Sequence, residues 1–230
     1  MDTRQFIDWM TRDDPAEILR SMHASGELRK KFPEIDALWG VPQPEAHHPE
    51  IDTGEHVALV LEQAARLSPD PRVRYAALVH DLGKALTPKE ELPKHPGHEE
   101  RGVAPAHALG ARMGLPEDWT WLGEVTSQYH LHAHRSQEMS DKGLVRFFVS
   151  SGFLQRPKLF EAFVLACEAD SRGRKGLAER PYPQAAFLRR MFDVVSSVPL
   201  EPEEAVHEMR LRWVRKELKA WKPEAVEAPC

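Results

Sequence analysis

His80-Asp81 is the dipeptide in this sequence with the most chemistry in it. It closes an apolar stretch and is followed by Leu82-Gly83-Lys84. Adjacent residues cannot share one helix face, but at a helix end both can turn toward one point. His56 stands at the start of the preceding predicted helix, and an αα-hairpin brings that start beside the end of the next helix. Asp170 ends another predicted helix, just before Ser171. Two imidazoles and two carboxylates form a mixed nitrogen and oxygen set for a divalent metal. His98, in Pro96-Gly97-His98-Glu99 at a loop-to-helix junction, and His130, on a long helix, extend that set. Six ligands are too many for one ion here and suit two, with Asp81 as the natural bridge. Two such ions lower the pKa of a bridging water and clamp a transferring phosphoryl group. A His-Asp dipeptide taken alone is more often structural or surface, and His98 and His130 taken singly are more often surface residues than ligands. His132 and His134 read as a solvated face of the His130 helix. His23, His47, His48, His95, His107 and His207 read as surface residues, His95 being the first to reconsider.

Helices must position these residues, and almost every segment carries helical periodicity. The apolar spacing predicts helices over Pro15–Leu28, His56–Leu67, Pro71–Leu82, Glu99–Met113 and Pro116–His134. It predicts further helices over Asp141–Val149, Pro157–Asp170, Pro183–Val198 and Pro202–Trp221. Asp14-Pro15 and Asp70-Pro71 are cap-plus-proline starts. Pro105 predicts a kink or a late start in its helix. Residues 83–97 carry the Gly and Pro of a loop. No alternating, β-branched run with hairpin turns occurs, so the class is all-α. A Pro-rich connector over residues 32–52 suggests an N-terminal helical appendage over 1–45 and a main domain over 46–200. Residues 201–230 then form a C-terminal helix with a frayed tail from Lys222 to Cys230.

The chain has 230 residues, enough for one sizeable core, and a formal charge of −5, which excludes a generally basic nucleic-acid coat protein. Its two cysteines, Cys167 and Cys230, exclude a disulfide scaffold and a Cys-ligated zinc site. Cys167 lies in an apolar helical stretch and is expected to be a buried, inert thiol. No apolar run is long enough to span a bilayer, and the first residues, MDTRQFIDWM, are not a signal peptide, so a cytoplasmic protein is expected.

The residues His56, His80-Asp81 and Asp170 resemble the H…HD…D signature of HD-domain metal-dependent phosphohydrolases. The runs Phe32-Pro33-Glu34 with Leu38-Trp39-Gly40-Val41-Pro42-Gln43 and His48-Pro49-Glu50-Ile51-Asp52-Thr53-Gly54-Glu55-His56 extend the match. So do His80 to Pro88, Pro96 to Glu99, and Glu168-Ala169-Asp170-Ser171-Arg172-Gly173-Arg174. Together, over roughly residues 15–200, they resemble the C-terminal part of bacterial CCA-adding enzymes, the tRNA nucleotidyltransferases. The nucleotidyl-transfer head of that family is expected to be absent. No Gly-Gly dipeptide occurs, and the chain starts inside what would be the connecting helical region. The resemblance therefore implies an HD-domain helical bundle without nucleotide addition.

What the resemblance implies is a phosphohydrolase acting on 2′,3′-cyclic phosphates, 2′-nucleotides and simple phosphomonoesters. It implies one or two divalent ions (Ni, Mn, Co, Fe or Mg) held by His56, His80, Asp81, His98, His130 and Asp170, with a metal-bound hydroxide attacking phosphorus. His130 rests on an aromatic-His pair, Tyr129-His130, at a place where the family varies. Lys84, Arg172 and Arg174 have the chemistry for phosphate contact, Lys84 and Arg172 taking the charge that builds on the phosphoryl oxygens. Arg174 reads equally as a surface ion pair. The expected substrate is a small nucleotide or a phosphorylated RNA end. The acidic net charge disfavours tight binding of long RNA, and neither DNA nor a membrane is expected as a partner. The oligomeric state stays open, a homodimer included. Two rival readings stand beside this one. An HD-type di-iron oxygenase can share the ligand set, and a non-catalytic RNA-binding module can share the fold.

Overall fold

The computed structural model describes residues 1–198 and 203–222. The tail expected to fray lies, from residue 223 on, outside the described residues. Helix follows helix: α1 (Thr3–Thr11), α2 (Pro15–Ala24), α3 (Glu27–Lys31), α4 (Pro33–Asp36), α5 (Thr53–Leu67) and α6 (Pro71–Val79). Then come α7 (His98–Arg101), α8 (Val103–Arg112), α9 (Glu117–His134), α10 (Asp141–Ser150), α11 (Phe160–Arg172), α12 (Gln184–Ser196) and α13 (Glu203–Ala220). Among the described residues the only β pairing is an isolated bridge between Pro42 and Asp52, so the fold is all-α. No described helix is long and apolar enough to cross a membrane.

Local chemistry sets most boundaries. Asp52 caps α5 through the Glu55 N–H, and Asp70 caps α6 through the Arg72 N–H. α1 was not anticipated. It is closed by a reciprocal capping box between Asp2 and Gln5, and it buries Phe6, Trp9 and Met10 at helical spacing. The expected break near Pro105 falls at Gly102, between α7 and α8, leaving Pro105 in the first turn of α8, where a missing N–H costs little. α6 stops at Val79, short of the expected Leu82, and a 3-10 turn over Leu82–Leu86 follows.

The α5–α6 hairpin is the central wall of the molecule. Val60, Ala64, Val73, Ala76 and Ala77 face a core completed by α9 to α13. Val57, Ala58, Leu61, Tyr75, Leu78 and Val79 face a second core built largely with α1 to α4 and α8. The residues of the N-terminal segment are thus packed against the same hairpin that carries the candidate ligands. Cys167 is fully buried in the first core, and burial pushes its thiol well above the usual range, as expected for an inert small hydrophobe.

Candidate metal centre

One end of the α5–α6 wall gathers all six candidate ligands. His56 comes from the first turn of α5, and His80 and Asp81 from the end of α6. His98 opens α7, His130 lies near the end of α9, and Asp170 near the end of α11. Two glycines permit the approach. A Cβ on Gly83 would stand 2.0 Å from the His98 carbonyl oxygen, so only glycine lets the turn after Asp81 press against the start of α7. A Cβ on Gly173 would stand 2.5 Å from Val60 Cα, so glycine also brings the end of α11 against α5.

All six side chains are buried, and the four imidazoles share one orientation. His80 Nδ1 donates to the Ala77 carbonyl at 2.8 Å and His98 Nδ1 to that of His95 at 2.8 Å. His130 Nδ1 donates to the Ser127 carbonyl at 2.8 Å. His56 Nδ1 stands 3.0 Å from both the Gly173 carbonyl and Glu50 Oε1. These acceptors take a hydrogen from each Nδ1, so each ring turns its Nε2 inward, and a ring that is neutral presents a bare lone pair there. Such an outward bond is what fixes a metal-ligating histidine. Burial pushes His130 down to about 3, which keeps that ring neutral.

The inward atoms form two facing sets. His56, His80 and Asp170 make one, and Asp81, His98 and His130 the other. Asp81 Oδ1 lies 3.2 Å from His98 Nε2 and 3.7 Å from His130 Nε2. Its Oδ2 lies 3.1 Å from His80 Nε2 and 3.6 Å from His56 Nε2. Asp81 thus presents one oxygen to each set. His98 Nε2 and His130 Nε2 face each other at 3.2 Å. His56 Nε2, His80 Nε2 and Asp81 Oδ1 are buried without a hydrogen bond, and Asp81 Oδ2 meets the Lys84 ammonium at 2.6 Å. Buried polar atoms are rarely left so. A divalent cation satisfies these lone pairs and carboxylates together, so the donor set fits a metal. Burial acts to raise the Asp81 carboxyl, but the His80 and Lys84 charges hold it well below the usual range. For Asp170, burial is likewise outweighed by His134 and His80.

Beside the two sets lies a cavity of about 160 Å³ whose walls include Asp81, Asp170, Lys84, His48, His95 and Arg174. Lys84 Nζ sits 2.6 Å from Asp81 Oδ2 and donates to Gln43 Oε1 at 2.5 Å. Arg172 does not line this cavity. Two residues beyond Asp170, it projects from another side of α11. There it pairs with Glu168 at 2.7 Å and donates to the Arg180 carbonyl. The structure thus does not bring Arg172, expected to contact substrate, to this cavity. Arg174 is a cavity wall.

Three residues read as surface or not singled out belong to the centre's support. His134 Nε2 donates to Asp170 Oδ2 at 2.6 Å, and its Nδ1 is 3.1 Å from the Tyr182 hydroxyl, which donates to it. It therefore clamps Asp170 and is no solvated face. The spacing from His130 to His134, one helical turn, was the available signal. Glu50 accepts from His48 Nδ1 at 3.0 Å as well as from His56, so a buried carboxylate orients one ligand and one cavity wall. Burial pushes His48 down to about 4 despite that bond. His95 bridges Thr87 and the Pro42 carbonyl, tying the loop to the connector.

Comparisons with known proteins identify the family. A family model described as "HD domain" matches residues 53–196. A "Multifunctional CCA protein" of Teredinibacter turnerae is 45% identical over 184 residues, covering 80% of this chain and 45% of that protein. The protein of the same description from Methylococcus capsulatus is 46% identical over 199 residues, covering 86% and 47%. That from Nitrosococcus oceani is 47% identical over 188 residues, covering 82% and 46%. The chain spans about half the length of the curated relatives it matches.

Proposed function

The chain belongs to the HD-domain family of metal-dependent phosphohydrolases, and from that premise we propose that it hydrolyses phosphate esters of nucleotides at a two-ion centre. The observation that carries this reading is Asp81, a buried carboxylate offering one oxygen to His56 and His80 and the other to His98 and His130. His56, His80 and Asp170 would hold one ion, His98 and His130 the second, and Asp81 would bridge them. When bound, such ions supply Lewis acidity toward the phosphoryl oxygens and acidify water.

The chain's own residues do the rest. The Nδ1 bonds fix four rings before any substrate arrives, so no reorganisation is needed at reaction. His134 holds Asp170 Oδ2, leaving Oδ1 to face His56. Lys84 places its ammonium on the cavity wall, where it binds a non-bridging phosphoryl oxygen and balances the charge that builds there. Arg174 offers a guanidinium fork on the same wall. The small cavity and the net charge of −5 favour a small nucleotide or a single phosphorylated RNA end over long RNA. The resemblance to CCA-adding enzymes supports 2′,3′-cyclic phosphates, 2′-nucleotides and phosphomonoesters as the classes to try, with the cytoplasm as the place of action.

The test is phosphate-ester turnover by metal-loaded protein on a 2′,3′-cyclic nucleotide, a 2′-nucleotide and p-nitrophenyl phosphate. Hydrolysis that a chelator stops and a divalent ion restores is expected. Metal-loaded, folded protein that turns over none of them would overturn the reading.

A further inference from the structure

Arg174 is a wall of two cavities. One is the metal cavity. The other is a neighbouring pocket of about 360 Å³ lined also by Ser171, Arg180, Tyr182 and Gln184. No carboxylate lines this second pocket. Among the described residues neither Arg174 nor Arg180 has a carboxylate partner, whereas nearby Arg172 is held by Glu168. Arg174 Nε is buried and makes no hydrogen bond. Its charge acts on His48 on the metal side and on Tyr182 on the other. Arg180 is exposed and Arg174 half-buried, so two guanidinium forks reach one pocket with no carboxylate on its wall, and an anion there would satisfy the buried Nε.

The pocket is also well braced. Tyr182 and Gln184 both bond His134, which bonds Asp170, so the wall is continuous with the metal centre. Arg172 holds the Arg180 carbonyl and fixes the loop that carries Arg180. α12 opens at Gln184 with no side chain capping its first turn, which adds positive polarity to the pocket rim.

We infer that this pocket binds a second phosphate of the substrate, one ribose away from the phosphate that is hydrolysed. The inference rests on the phosphohydrolase reading and narrows its substrate class. The preferred substrate carries a 2′, 3′ or 2′,3′-cyclic phosphate at the metal cavity and a 5′ phosphoryl group at Arg174 and Arg180. A free nucleoside bisphosphate and the last nucleotide of an RNA share this chemistry, because the RNA's final phosphodiester is that 5′ phosphoryl group. A plain nucleoside monophosphate lacks it.

The experiment compares three substrates on metal-loaded protein: adenosine 2′,3′-cyclic phosphate, its 5′-phosphorylated form, and a dinucleotide ending in a 2′,3′-cyclic phosphate. A parallel titration compares binding of adenosine 3′,5′-bisphosphate with adenosine 3′-monophosphate and needs no turnover. A roughly tenfold lower KM and a roughly tenfold tighter bisphosphate are expected, the size of one charge-assisted hydrogen-bonded contact. Arg180→Ala should erase both preferences and Arg180→Lys should keep part of them. A gain for the dinucleotide as well as the 5′-phosphorylated mononucleotide assigns the pocket to RNA ends, and a gain for the mononucleotide alone assigns it to free nucleotides. Equal KM and equal binding in the wild type would overturn the pocket while leaving the hydrolase reading intact. Selective bisphosphate binding without turnover of any ester would keep the phosphate pocket and overturn the hydrolase reading instead.

Discussion

Four imidazoles that all give their Nδ1 hydrogen away and all turn Nε2 to one place define this protein at the scale of the residue. Asp81 offers one oxygen to each set, so Asp81→Asn is expected to lose both ions and all turnover. Elemental analysis of the folded variant checks this. Lys84 touches Asp81 but cannot ligate a cation. Lys84→Ala should therefore keep its metal and lose turnover by roughly 10²–10³-fold, the effect of removing one charge-stabilising donor. Loss of metal in that variant would show that its contact with Asp81 is structural. His134 acts through Asp170, so His134→Ala should weaken metal affinity by roughly 10–100-fold, as for other partners of a ligand. His134→Gln restores an N–H donor and should recover part of that affinity, measured by competition with a chromophoric chelator. The candidate ligands are legible because histidine and aspartate at helix ends are chemically conspicuous. His134 was not, since a histidine near the exposed end of a helix looks the same as one that bonds a buried carboxylate. Glu50 was not, since its two partners reach it across an irregular loop that carries no period.

Elements matter here through their ends. The turn after α6 presses on the start of α7 at Gly83, and the end of α11 presses on α5 at Gly173, because glycine there removes the Cβ atoms that would hold them apart. Gly83→Ala forces either the 3-10 turn or α7 to move. Its expected cost is roughly 1–3 kcal/mol, the range for overpacking a close contact. A melt should fall by several degrees, with the His98–His130 side losing metal first. An unchanged melt with full metal would show that the backbone yields there at no cost. Helix identity was readable from the apolar period and from Asp-Pro starts, as α2, α5, α6 and α9 bear out. Boundaries at the site were less so. The end of α6 and the α7–α8 break are set by tertiary contacts of Gly83 and Gly102 with each other's surroundings, which no local pattern records.

For the whole molecule, the hairpin with a core on each face makes the centre dependent on both halves. The segment up to residue 45, read from sequence as an appendage, buries Phe6, Trp9, Met10, Leu19, Leu28 and Phe32 against that hairpin. At roughly 1.5–3 kcal/mol per buried large side chain, those contacts are of the order of a domain's entire net stability, roughly 5–15 kcal/mol. A chain lacking residues 1–45 is therefore expected to be unfolded or aggregated by circular dichroism, and a soluble, cooperatively melting fragment would contradict this. The Pro-rich connector suggested separation because proline marks loops. The sequence has no local sign that the helices before it return to the same core. The central claim is a two-ion centre bridged by Asp81, and its most direct measurement is metal stoichiometry per chain by elemental analysis after reloading with one divalent ion. Two equivalents are expected in the wild type, one in His130→Ala and none in Asp81→Asn. One equivalent or fewer in folded wild-type protein, or two retained in Asp81→Asn, would contradict it.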